Sequence, residues 1–185
     1  MSKPTIFVFT GTSGSGRKTV ARKAGELIGW TAVRSCTTRA PRNPDHPDGD
    51  YHYIGPEQFV EWEREGRFLQ TVEMDRNKYG VLRDELERAI NGNLGEGVYL
   101  VLNREGAAAL KQLYGERLVR IFIYVDKQTV RERLESKGAP YEVIENYLDH
   151  YSEEVTYRKV CEHVFENVDL NRTVEMISEA VKSYK

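Results

Sequence analysis

The chain has 185 residues, long enough for one substantial hydrophobic core, and nothing in its composition calls for a second independent domain. Its 27 lysines and arginines against 29 aspartates and glutamates leave a formal net charge of −2. This excludes the broad electrostatic footprint of a DNA, RNA or anionic-membrane binder and makes any anion site a local one. Apolar runs fall short of the roughly 20 residues of a membrane span, and the N-terminus lacks the basic and apolar regions of a secretory leader. Cys36 and Cys161 are too few and too distant for a disulfide frame or a zinc site, so a cytoplasmic protein with two reduced thiols is expected. His46, His52, His150 and His163 show no metal-ligand spacing.

The first element is the apolar run Thr5 to Thr10, a strand that leads into Gly11-Thr12-Ser13-Gly14-Ser15-Gly16-Arg17-Lys18-Thr19. This is a phosphate-binding loop: its backbone N–H groups turn inward on phosphate oxygens, and the following helix points its positive end at the same anions. The usual pattern, GxxxxGK followed by Ser or Thr, sets a lysine on the outer phosphates and a hydroxyl on magnesium. Those two positions here read Arg17 and Lys18. Arg17 keeps the charge but spreads it over a planar fork, and Lys18 cannot ligate a cation. Read one residue longer, the loop makes Lys18 the phosphate lysine and Thr19 the hydroxyl, and the sequence leaves both registers open.

Val20, Ala21, Ala24 and Leu27 then share one helical face, with Gly29 as its stop, and Thr31 to Cys36 is expected to be a strand. Ser35-Cys36-Thr37-Thr38-Arg39-Ala40-Pro41-Arg42, with Gly49-Asp50-Tyr51-His52-Tyr53 soon after, gathers two guanidiniums, serine and phenols suited to one phosphate group. From Thr37 to Tyr79 the texture changes. Prolines and acids precede a β-like segment at Tyr51 to Ile54, a helix near Pro56 to Arg64, and the run Phe68 to Glu73, together an inserted, mobile subdomain. The runs Val98 to Leu102 and Val119 to Val125, separated by helical patterns, complete the alternation of an α/β chain with a parallel sheet flanked by helices. Ser136-Lys137-Gly138-Ala139-Pro140 breaks the helical pattern and marks a small lid. Tyr141 to Arg158, with Val143, Ile144, Tyr147, Leu148, Tyr151 and Val155 at helical spacing, and Thr173 to Val181 are expected to be packing helices, the tyrosines of the first facing the core.

In these stretches the chain resembles the guanylate kinase family, whose loop GPSGSGKST is followed by SxxTTRxxRxxExxGxxY and later by a YG pair. The resemblance covers essentially the whole length and implies a P-loop nucleoside monophosphate kinase fold. The core would comprise 1–34 and 82–185, an acceptor-binding insertion about 35–81 and a lid about 136–142. It further implies ATP held with Mg2+ at Gly11, Ser13, Gly14, Ser15, Gly16, Arg17, Lys18 and Thr19, and a monophosphate held by Ser35, Arg39, Arg42, Tyr51 and Tyr79. Gln70 would face the base, where the family has a glutamate, and Val81 replaces a Ser or Thr that contacts the base oxygen. Val101 and Asn103 stand at the two aspartates of the family's LDID strand, Lys137 and Tyr147 where arginines are expected, and Asp45 near a family glutamate. Arg133 matches the family's RL pair.

The implied reaction moves the terminal phosphoryl of ATP onto GMP or a related acceptor, with Arg17, Lys18 and Arg133 as the charge-bearing catalytic groups and Arg131 as an alternative to Arg133. Two other readings follow from the departures. One is a catalytically degenerate module that binds a nucleotide or a phosphorylated protein segment, and the other is a kinase for a different phosphorylated acceptor such as a sugar phosphate. Nucleotides are the expected partners in the first case, with no nucleic acid or membrane, and a protein partner enters under the binding-module reading.

Overall fold

The computed structural model describes residues 3–45, 49–92 and 96–184. His46 lies outside the described residues, as does part of the proline- and acid-rich stretch around it. The core is a five-stranded parallel sheet. It is built from β1 (Ile6–Gly11), α1 (Arg17–Ile28) and β2 (Thr31–Ala32), and later from β7, β8 and β9. Between them come β3 (Ser35–Thr37), β4 (Tyr51–Tyr53), α2 (Pro56–Arg64), β5 (Phe68–Met74), β6 (Asn77–Leu82) and α3 (Arg83–Gly92). The chain then returns through β7 (Val98–Val101), α4 (Arg104–Tyr114), β8 (Leu118–Tyr124), α5 (Lys127–Ser136), α6 (Tyr141–Thr156), β9 (His163–Glu166) and α7 (Leu170–Ala180).

The core sheet runs β2-β7-β1-β8-β9, and β1 is buried along its whole length because β7 and β8 pair with it on both sides. A strand covered on both faces reads as a continuous apolar run, which is how Ile6 to Phe9 reads. Alternate side chains then serve opposite layers. Ile6 and Val8 pack with Leu86, Leu110 and Leu118, while Phe7 and Phe9 pack with Val20, Ala24, Ile121 and Ile177. Trp30 stacks on Phe7 with ring centroids 4.0 Å apart, closing the second layer. No helix among the described residues is long and apolar enough to cross a membrane.

Three expectations are corrected by packing. The segment Thr31 to Cys36 is two strands, not one: Thr31–Ala32 pairs with β7, and Ser35–Thr37 joins β4 and β6 in a separate four-stranded sheet of order β4-β3-β6-β5. Val33 makes a last bond, from its N–H to the Tyr99 carbonyl (2.9 Å), before Arg34 diverts to Glu85. Leu27 is 61% exposed, because α1 buries a face centred on Ala21, Ala24 and Ile28 that leaves Leu27 at its edge. Val143 is likewise exposed on α6, whereas Tyr147 and Tyr151 pack against the small cluster Val125, Val130, Ile144 and Leu148.

The second sheet turns Val81 and Leu69 into the core and carries Ser35, Tyr51, Gln70 and Tyr79 toward a pocket. A two-residue turn at Asp75-Arg76 joins β5 to β6, with φ of 51° and 68°, the positive values that such a tight hairpin demands of both residues. One extra residue, Leu69, bulges β5 between Phe68 and Gln70. Phe68 therefore stacks on Phe59 at 4.5 Å, beside Trp62, while Gln70 reaches the pocket described below. The segment 137–140 is a short turn between α5 and α6, with Gly138 at φ 73°. Cys36 and Cys161 are free, and burial pushes their thiols up to about 11 and about 12, so both stay protonated at neutral pH.

Candidate functional site

The glycine loop begins where β1 meets β8. Thr12 donates its N–H to the Ile123 carbonyl (3.1 Å), and a side chain on Gly11, at φ 150°, would run into that same carbonyl. Five residues after Gly11, Gly16, at φ 82°, ends the loop, and α1 starts at Arg17. Gly11 and Gly16 thus bound a loop of ordinary length. Arg17 occupies the first helical position, Lys18 the second and Thr19 the third. The first turn of α1 carries no acidic residue, so its unpaired N–H groups keep their positive end for an anion.

Much of the loop is already held by the protein. Ser13 donates from its N–H (3.2 Å) and its hydroxyl (2.8 Å) to the Glu154 carboxylate of α6. Asn167 donates from Nδ2 to the Ser15 carbonyl (2.8 Å), and Arg133 donates to the Asn167 carbonyl (2.8 Å). Arg17 donates from Nη1 to the Gly11 carbonyl (3.0 Å). The buried Ser15 and Thr12 hydroxyls and Asn167 Oδ1 have no partner. Arg131 pairs with Glu145 at 3.7 Å.

Beside the loop lies a pocket lined by Arg17, Ser35, Tyr51, Gln70, Val72, Met74, Tyr79, Val101, Leu102 and Asn103. Arg39 reaches this region with its guanidinium 5.2 Å from the Tyr51 ring, and its Nε and Nη2 are buried without a partner. Burial works against charge on Arg39, but the hydrogen bond to Tyr53 and the phenols of Tyr79 and Tyr51 outweigh it and hold the guanidinium above its ordinary value. Burial pushes the Tyr51 and Tyr79 phenols up, so both remain neutral donors at pH 7. Arg42 is exposed at the rim, near enough to act electrostatically on Lys18 and Tyr51. Gln70 Oε1 is buried and unpartnered.

Lys18 joins the two regions. Its ammonium stands 3.7 Å from Asp50 and 4.7 Å from the centre of the Tyr51 ring, so it turns toward the arginine pocket and away from the loop's own carbonyls. Burial lowers its pKa, Asp50 holds it up, and Arg39, Arg42 and Arg17 push it down further. Val81 lies elsewhere: it is fully buried in the core and does not line the pocket. Asn103 caps α4, its side chain accepting from the Gly106 N–H (2.8 Å). A larger cavity of about 690 Å³, bounded by His52, Trp62, Glu85 and Arg88 among others, contains none of the predicted site residues.

The residues present do not fit a resident divalent cation. Among the described residues no group of three His, Cys, Asp or Glu side chains is placed to hold one. An ammonium stands at the second helical position, Val101 brings no ligand, and the Asn103 oxygen is spent on its helix cap.

Sequence reasoning missed Glu154 and Asn167. Each meets the loop across more than 140 residues of chain, and neither stands in a motif. An acidic pair on a helix and an asparagine after a short strand carry no signal of their own.

The guanylate kinase family model matches residues 3–184. A guanylate kinase of Fusobacterium nucleatum is 28% identical over 98% of this chain and 100% of the relative. One from Salinibacter ruber is 33% identical over 95% of this chain and 94% of its own length. The crystal structure of guanylate kinase from Anaplasma phagocytophilum aligns with a TM-score of 0.78 at 26% identity, over 99% of this chain and 87% of that one.

Proposed function

The chain belongs to the guanylate kinase family, and from that premise we propose that it transfers the terminal phosphoryl group of ATP to a nucleoside monophosphate, GMP or a related one. The observation that carries this reading is two neighbouring sets of buried polar groups left without hydrogen-bond partners among the described residues. One is the glycine loop with its unpartnered Ser15 hydroxyl at the start of α1, and the other is Arg39 with two buried N–H groups that no described residue satisfies. Two buried N–H groups left without an acceptor cost stability unless an anion takes them up.

In this reading Gly11, Ser13, Gly14, Ser15, Gly16 and Thr19 form or support the donor loop. Arg39, Ser35, Tyr51 and Tyr79 grip the acceptor phosphate, with Arg42 closing from the rim. Arg17 lines the acceptor pocket while bonded to the loop, a position suited to the phosphoryl group in flight. Arg133 steadies the donor side through Asn167. An oxygen of the acceptor phosphate attacks the terminal phosphorus, the bond to the bridging oxygen breaks, and ADP leaves with that electron pair. No protein nucleophile is needed, because the acceptor phosphate is largely ionised at neutral pH and catalysis is mostly positioning and charge. Action in the cytoplasm is part of the proposal.

Calorimetric titration with GMP, AMP, dGMP and ATP, paired with an assay for ADP release, tests it. A monophosphate binds wild type but not Arg39→Ala, and ADP appears only when both nucleotides are present. Monophosphate binding without any phosphoryl transfer would instead identify a binding module, a reading favoured by the Tyr147 ring lying against Gly14 of the loop.

A further inference from the structure

We propose that the Lys18 ammonium serves as the fixed cation between the two anion sites, so that nucleotide binding here does not depend on a divalent metal. The inference rests on reading the glycine loop as the donor site.

Three observations carry it. The first is position: with Gly16 ending the loop, Lys18 falls on the second residue of α1, where a metal-binding hydroxyl would otherwise stand. The second is direction. Its ammonium spans from the helix start to Asp50 and the Tyr51 ring, and Arg39 lies over that same ring, so the charge sits where donor and acceptor phosphates would meet. The third is the donor set. The carboxylate beside it, Asp50, is ion-paired with Lys18, and the groups that act on Lys18 electrostatically from the packed elements are otherwise Arg39, Arg42 and Arg17. A divalent ion entering this cluster would face four like charges with few oxygen ligands to replace its water, and magnesium surrenders water reluctantly. An ammonium already in place needs no such exchange and offers three N–H donors to phosphate oxygens.

The test is calorimetry of the full chain with ATP and with GMP, each in excess Mg2+ and in EDTA, on wild type, Lys18→Ser and Lys18→Met. Wild type is expected to bind ATP within about threefold in the two conditions, Lys18→Ser to lose about tenfold or more in EDTA and recover with Mg2+, and Lys18→Met to bind weakly in both. A wild-type loss of about tenfold or more on chelation overturns the inference, and so does Lys18→Ser matching wild type in EDTA. Either result leaves the kinase reading standing. If ATP fails to bind in both conditions while GMP still binds, the donor-site reading and this inference fall together. Thermal melts of the two variants confirm that each is folded.

Discussion

The glycine loop and the arginine pocket differ in who satisfies their polar groups. In the loop, the Thr12 and Ser15 hydroxyls are buried with no partner among the described residues, but Ser13, the Ser15 carbonyl and Arg17 are engaged by Glu154, Asn167 and Gly11. In the pocket, Arg39 Nε and Nη2 and Gln70 Oε1 are buried with none. The loop backbone is therefore organised by folding, whereas the pocket keeps donors and an acceptor that folding leaves unmet. Damage to the loop should appear as lost stability, and damage to the pocket as lost binding.

The strongest break is Gly11→Ala, which drives a methyl group into the Ile123 carbonyl at the β1–β8 junction. It should cost about 3 kcal/mol or more, read as a large fall in thermal midpoint. Arg39→Ala separates the two regions in the opposite sense: monophosphate affinity should drop about 100-fold or more, while the ligand-free midpoint stays nearly level, because the unmet Nε and Nη2 go together with the bond to Tyr53. A falling midpoint would mean that Arg39 is structural. Glu154→Gln should weaken the tie to Ser13 by about 1 kcal/mol, reducing ATP affinity and leaving GMP binding as it was. Equal losses for both nucleotides would erase the distinction between loop and pocket.

The smallest effect is a pH difference. Burial holds the folded pKa of Lys18 below its ordinary value of 10.5, so the folded state binds fewer protons than the unfolded one between those values and gains stability as pH rises through that window. Lys18→Met lacks this linkage. Whatever stability the variant gains over wild type at pH 7 should shrink as pH climbs toward 10.5, and a constant gap between their midpoints would show that Lys18 feels no net penalty.

The residues show why some of this was readable in the chain and some was not. The central strands were plain because a doubly covered strand must be apolar throughout, and the glycine loop was plain because its backbone geometry depends on local glycine spacing. The break at Val33 was hidden, since a change of sheet depends on which partner strand comes within reach. β6 was missed because Asn77-Lys78-Tyr79-Gly80 alternates nothing apolar, and its place is secured by β5 and the turn at Asp75-Arg76. Asn103 reads as the remnant of a family carboxylate, yet its oxygen caps α4. The direction of Lys18 is set by Asp50 and Tyr51, at the start of β4 and far along the chain.

The sequence has two tryptophans, and each belongs to a different half of the comparison. Trp30 is stacked on Phe7 inside the parallel core, and Trp62 sits near Phe68 with the Arg67 guanidinium 4.7 Å from its ring. Replacing either indole with phenylalanine leaves a single indole among the eleven tyrosines, so emission excited selectively in the indole band can track the unfolding of one layer at a time. Coincident transitions would mark one cooperative unit, and separated ones a polar sheet that loosens before the core beneath it.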